Sequence, residues 1–334
     1  MQHPNSVKTV SQLSLVLLLV GYSCAEAIEP AIADDYPNKP ITIIVPFAAG
    51  SGLDARIRQV AGLLAPRLGQ PVVVDNRPGA SGATGTSLVA KAKPDGYTVL
   101  ACSGSTHAVN PAVVPDLGYD PRKDFSPVVR IVSAPLILAI NPNVPAQSVG
   151  ELIRLAKAKP GQIRYGSGGP ASTFHIAGAL FAYHAGIELT HVPYKGDGPA
   201  LTDAIGGHIE MLFSSPILLF PQASAGRLRL LAVAGPRRLP AVPDVPTLQE
   251  AGVPGSELIV WAGLCAPAGT PQVAINRLNR EVLSAFSAPD LKHQLERDGY
   301  EVVPNSPAEF GIFLSEELVR FQKLAKELGI RLEQ

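Results

Sequence analysis

Apolar positions along the chain follow two alternating periods. Short runs of aliphatic and β-branched residues read as buried strands at Ile41–Val45, Val72–Val74, Tyr97–Cys102, Leu136–Ile140, Ile163–Tyr165, Leu189–Val192, Ile209–Phe213, Leu228–Ala234 and Leu258–Leu264. Between them, apolar residues recur at helical spacing. Leu53, Ile57, Val60, Ala61 and Leu64 form one stripe, which Pro66 is expected to end. Further helices are predicted over Thr84–Ala92, from a Ser148/Glu151 capping box to Ala158, over Ser172–Ala185, near Pro199–Ile205 and from Thr270-Pro271. A last one starts with Ser306 as N-cap, Pro307 at the first position and Glu309 at the third. Strand and helix alternate almost throughout, which predicts an α/β architecture with largely parallel sheets.

One pattern occurs twice. A strand stops in a turn of small residues and a helix follows at once. The first copy runs through Pro46-Phe47-Ala48-Ala49-Gly50-Ser51-Gly52, the second through Gly166-Ser167-Gly168-Gly169-Pro170-Ala171-Ser172 into a helix carrying His175. Small residues let a ligand approach the main chain, and a helix start offers unpaired N–H groups at the positive end of its dipole. Two such turns far apart in sequence predict one anionic ligand held between two domains.

Charge is balanced, with 28 basic and 28 acidic residues, so there is no electrostatic footprint for nucleic acid or an anionic membrane. Apolar residues make up 46%, which excludes a disordered chain. Residues 1–33 read as an export signal: Lys8, the apolar run Leu13–Val20, and small-x-small cleavage sites ending at Ala27 and Ala33. That apolar run is too short for a membrane anchor, which needs about 20 residues. Gly21-Tyr22-Ser23 before Cys24 is a poor lipidation context. The mature chain would keep Cys102 and Cys265, both in apolar strand-like runs; buried free thiols are preferred over a disulfide.

Several segments together resemble the tripartite tricarboxylate transporter substrate-binding proteins, also called the Bug family. They are Tyr36-Pro37-x-Lys39-Pro40-Ile41, Val45-Pro46-Phe47 with the turn and Asp54, Asp75-Asn76-Arg77-Pro78-Gly79-Ala80, Pro94-Asp95-Gly96-Tyr97, Val192-Pro193-Tyr194-Lys195-Gly196 and Ala266-Pro267-Ala268-Gly269-Thr270-Pro271. The resemblance implies a two-lobe periplasmic-binding-protein fold, type II-like, with a two-strand hinge at Leu136–Ile140 and Leu228–Ala234. Lobe 1 would be 35–138 plus 234–334, and lobe 2 would be 139–233. It implies a periplasmic monomer that captures a small carboxylate for membrane transporter subunits, with no cofactor, metal, nucleic acid or membrane insertion. The implied ligand-facing residues are Phe47, Ala48, Ala49, Gly50, Ser51 and Gly52 of the first turn, with Ser105 and Thr106 of a third loop. On the other lobe they are Ser167, Gly168, Gly169, Ser172, Thr173, His175, Tyr194 and Ser214.

Two departures stand out. Ala48, Ala49 and Ser51 occupy places where family members usually have Pro or Gly. Ser214 stands where many carry Asp, so a carboxylate is expected to be missing from the cleft, which favours a simple organic acid over an amino acid. Among other readings, the glycine-rich segment 166–171 fits a dinucleotide fingerprint only loosely. A hydrolase lacks a Gly-x-Ser-x-Gly elbow, and a sensory cleft protein would share fold and binding. His107 reads as a buried structural histidine; for His175, ligand donor and structural histidine stand even. Asp54 reads as a helix cap, Asp75–Arg77 as a brace, Lys195 as solvated and Trp261 as core beside the hinge.

Overall fold

The computed structural model describes residues 36–330; the expected export signal lies outside the described residues. The strands are β1 (Ile41–Val45), β2 (Val72–Asn76), β3 (Thr98–Ser103), β4 (Phe125–Ile140), β5 (Arg164–Ser167), β6 (Thr190–Pro193), β7 (Met211–Ser214), β8 (Arg229–Ala234) and β9 (Ile259–Pro267). The helices are α1 (Gly52–Leu68), α2 (Ala83–Ala90), α3 (Asn110–Val113), α4 (Val149–Ala158), α5 (Thr173–Ala185), α6 (Asp197–Gly206), α7 (Pro216–Ser224), α8 (Gln272–Phe286), α9 (Pro289–Arg297) and α10 (Pro307–Glu327).

Strand pairing divides these elements into two lobes that share β4. In the first, the order is β2-β1-β3-β9-β4, with β1 parallel to β2 and β3, and β9 antiparallel to both its neighbours. In the second, it is β6-β5-β7-β4-β8, with β5 parallel to β6 and β7, and β4 antiparallel to both its neighbours. Each lobe is thus a parallel βαβαβ unit with one antiparallel strand let in beside its third strand. No residue repeat in the sequence announces this symmetry. β1 and β5 hold equivalent places, which is why the small-residue turns that follow them come to equivalent positions.

The long strand β4 corrects the sequence reading, which saw only Leu136–Ile140. Its first part escapes detection because Ser126, Pro127, Arg130 and Ser133 break the apolar run, and the register with β9 shifts at Pro127/Val129 and Arg130/Val132. β4 crosses from one lobe to the other at Pro135–Leu136, pairing with Ile259 on one side of the junction and Ala234 on the other. The return crossing lies beside it. Leu258 N–H donates to Ala234 O (2.9 Å), and Leu258 O accepts from Leu136 N–H (3.0 Å). The intervening segment 235–258, read with lobe 1, packs Leu239 beside Ile137, Ala139 and Leu212 of the second lobe.

Local signals account for most of the ends. Ser51, Ser148, Ser172 and Ser306 all cap helices through their hydroxyls, and Ser306/Glu309 completes a capping box. Glu151 instead accepts from Gln147 N–H, so the box at α4 is half made. Pro66 does not end α1. It removes one N–H bond near the end, but the flanking residues keep helical geometry, and the helix stops at Gly69 in the left-handed conformation (φ 66°). Cys102 and Cys265 are joined as a disulfide across the β3–β9 pair, Cα atoms 6.0 Å apart, which corrects the free-thiol reading. Opposed strands put both side chains in one buried layer, a proximity that two isolated cysteines in sequence do not disclose.

Candidate ligand-binding cleft

The turn after β1 is braced from behind. Asp54, buried in the first turn of α1, accepts from Gly50 N–H (2.9 Å), Arg58 Nε (3.0 Å) and Asn76 Nδ2 (2.9 Å). Burial pushes its carboxyl up, but those donors outweigh it and hold it below the ordinary carboxylate range. Asn76, the last residue of β2, also donates to Phe47 O (3.0 Å) and so braces the turn. Several of the turn's own amides are already engaged. Ala48 N–H donates to Lys195 O (2.9 Å), Ser51 N–H to Ala48 O (3.2 Å), Asp54 N–H to Ser51 Oγ (3.2 Å) and Gly52 N–H to Asp197 Oδ1 (3.0 Å).

The turn after β5 is self-satisfied in the same way. Ser167 Oγ accepts from Gly169 N–H (3.1 Å), Gly169 O from Ser172 N–H (3.2 Å), and Ser172 Oγ from His175 N–H (3.1 Å). Thr173 N–H donates across the cleft to Ser105 Oγ (3.0 Å), whose hydroxyl also lies 3.1 Å from Thr173 Oγ1. The lobes therefore meet along a seam of direct bonds. Two glycines permit that approach: a side chain at Gly52 would strike Ser215 and Asp197, and one at Gly198 would strike the carbonyl of Gly50.

Inside the seam lies a narrow cavity of about 60 Å³, whose lining includes Phe47, Ser51, Gly52, Ser105 and Thr173 from the sequence-predicted set. A wider groove of about 680 Å³ outside it is lined by Phe47, Gly168, Gly169 and Tyr194, with exposed Lys195 at its rim. The remaining predicted residues line neither. Ala49 and Gly50 face solvent, and Ala48 is half-buried with its N–H bonded to Lys195 O. Thr106 is buried against Ser103 and His107, and Ser167 and Ser172 serve their own turn. His175 stacks on His191 with ring centroids 4.2 Å apart. Ser214 is buried and donates to Asp197 Oδ2 (2.8 Å).

A family model described as "Tripartite tricarboxylate transporter family receptor" matches residues 56–330. BugT of Bordetella pertussis is 34% identical over 96% of this chain and 99% of its own. Among solved structures, an R. palustris protein with adipate is 36% identical with a TM-score of 0.86, covering 89% of this chain and 99% of its own. MatC from Rhodopseudomonas palustris, with bound malate, is 30% identical with a TM-score of 0.82, covering 86% and 99%. The chain belongs to the tripartite tricarboxylate transporter receptor family.

For a receptor of this family the cleft holds two charged residues that sequence reasoning missed. Asp197, the first residue of α6, is 2% exposed and lines the cavity, held by Gly52 N–H and Ser214 Oγ. The expectation that Ser214 leaves the cleft without a carboxylate is thereby corrected: Ser214 orients one. Burial pushes the Asp197 carboxyl up, and the donors from Gly52 and Ser214 oppose that shift. Arg56, 4% exposed, also lines the cavity. Its guanidinium lies 4.2 Å over the Tyr300 ring, Nη1 donates to Gln59 Oε1, and buried Nε has no partner among the described residues. The stripe of α1 disguised it, since Arg56 adjoins Ile57 on the same buried face.

Elsewhere in the receptor, His191 Nε2 lies 2.6 Å from Ser167 Oγ, and burial with His175 alongside pushes it down to about 4. His107 is buried, bonded through Nδ1 to Thr106 (3.0 Å), and burial holds it down to about 3. Cys102, His107 and Cys265 bring donor-type atoms within 4.8 Å of one another, but both sulfurs belong to the disulfide. Tyr194 donates to Asp203 Oδ2 (2.6 Å) rather than into the cleft. Trp261 lines the cavity and donates through Nε1 to Glu317 (3.1 Å).

Proposed function

We propose that the protein is a periplasmic receptor, acting as a monomer, which captures a small organic acid between its lobes and presents it to the membrane subunits of a tripartite tricarboxylate-type transporter, without chemistry of its own. Residues 36–135 with 259–330 would move as one lobe and 136–258 as the other, about the paired crossings at β4 and Ala234–Ile259. The observation that carries this reading is the cavity itself. The serine-capped start of α1, the hydroxyls of Ser105 and Thr173, and a buried guanidinium line one space at the interlobe seam. Adipate and malate in the two relatives above supply the ligand class.

Affinity in such a cleft must come from closure. Binding at 1 μM needs about 8 kcal/mol. One helix terminus contributes about 0.3–1 kcal/mol, up to about 2 when partly buried. The balance falls to charge-assisted and water-bridged hydrogen bonds in a site closed to solvent. A thermal-shift screen of mono-, di- and tricarboxylates should find acids that raise the melting temperature. Trp261 fluorescence should then titrate with them, and the bound acid should be recovered unchanged. A screen in which no carboxylate shifts the melting temperature, or recovery of a converted product, would remove the proposal.

A further inference from the structure

We infer that the cleft selects a monocarboxylic acid with an apolar body, its carboxylate bound by Arg56 and a second carboxylate refused by Asp197. This deepens the carboxylate-receptor reading and rests on it.

Buried guanidinium groups are costly unless paired, and among the described residues Arg56 has no acidic partner. Its Nε–H is a buried donor with no partner among the described residues, on a side chain that lines the seam cavity. A carboxylate would supply the missing partner, since Nη1 is bonded to Gln59 and the group lies over Tyr300, which leaves Nε–H for a charge-assisted bond. The other candidate for anion capture, the start of α1, is taken: Gly52 N–H already serves Asp197 Oδ1. The chain's own acid therefore occupies one cradle and leaves Arg56 as the free one.

Asp197 supplies the exclusion. It lines the same narrow cavity, and both its oxygens are satisfied by donors from opposite lobes, Gly52 N–H and Ser214 Oγ. A ligand with one carboxylate neutralises Arg56 and leaves Asp197 undisturbed. A ligand with two brings its second charge against a buried carboxylate, where water screens poorly. The rest of the wall is suited to an apolar body. Phe47, Val132, Phe174, Val260 and Trp261 line the same cavity.

The test is titration of the protein, by Trp261 fluorescence and calorimetry, with benzoate, 3-hydroxybenzoate, adipate and malate. The monocarboxylates should bind at least tenfold more tightly than either dicarboxylate. Arg56→Gln should weaken the best monocarboxylate by about 10- to 100-fold, while Arg56→Lys, which keeps the charge but loses the fork, should weaken it less. Asp197→Asn should narrow the gap between mono- and dicarboxylates at least tenfold, a readout independent of the Arg56 variants should those fold poorly. Dicarboxylates that bind most tightly to the wild type, or monocarboxylate affinity indifferent to Arg56→Gln in a variant with an unchanged melting curve, would overturn this inference and leave the receptor reading standing. Failure of all four acids, with tricarboxylates failing as well, would overturn both.

Discussion

At the scale of single residues, the serines of the two turns divide between support and contact. Ser172 is buried and caps α5, whereas Thr173 one position on lines the cavity and meets Ser105. Ser172→Ala should therefore cost about 1 kcal/mol of stability, measured by denaturant unfolding, through loss of the cap. The family resemblance implied that Ser172 and Thr173 both face the ligand, and the structure separates them. The histidines carry a second prediction. His107 stays neutral in the fold because burial lowers it from 6.5 to about 3, so the unfolded chain takes up a proton that the folded chain refuses. The stability concerned is complete above pH 6.5 and is lost as pH falls toward 3, by up to about 1.4 kcal/mol per pH unit. His175 and His191 are lowered in the same sense. Unfolding curves at pH 7.5 and 5.0 should show the drop, and His107→Gln should make it smaller. An equal drop in that variant would show that His107 does not carry it.

At the scale of elements, what could be read ahead was whatever local chemistry dictates. The serine-capped starts of α4 and α10 were legible because one hydroxyl and the first turn of N–H groups decide them, whereas at α1 the cap expected of Asp54 is made by Ser51. The first part of β4 was not, because its identity as a strand comes from β9 across a bulged register rather than from its own apolar pattern. The cleft divided along the same line. The two turns were visible as strings of small residues, while Arg56 and Asp197 became site residues only when folding brought α1 and α6 to one cavity. The disulfide is another product of pairing, since Cys102 and Cys265 are 163 positions apart and meet only because β3 and β9 are neighbours. Closing so long a loop restricts the unfolded chain, so the Cys102→Ala/Cys265→Ala double variant should lose about 2–5 kcal/mol in denaturant unfolding. An unchanged midpoint and slope would assign the bond no stabilising role.

At the scale of the whole molecule, two lobes of one topology are joined at two adjacent crossings and meet again along a polar seam. Hinge closure needs that combination: few covalent paths, placed side by side, and contacts elsewhere that can be made and broken. Ser105 and Thr173 offer a direct handle on it, because their hydroxyls lie 3.1 Å apart on opposite lobes. A Ser105→Cys/Thr173→Cys variant should form a bond across the seam on oxidation and hold the lobes together. If ligand enters by opening of the lobes, the oxidised variant should bind at least tenfold more slowly than the same variant in its reduced form, measured by stopped-flow Trp261 fluorescence. Comparing two redox states of one variant cancels whatever the substitutions themselves cost at the site. Ser105 and Thr173 are buried like the native bond between Cys102 and Cys265, so the wild type under the same reductant is the control for loss of that bond. Equal association rates in the two states would mean that ligand reaches the cavity through the outer groove beside Tyr194 and Lys195, with the lobes already in contact.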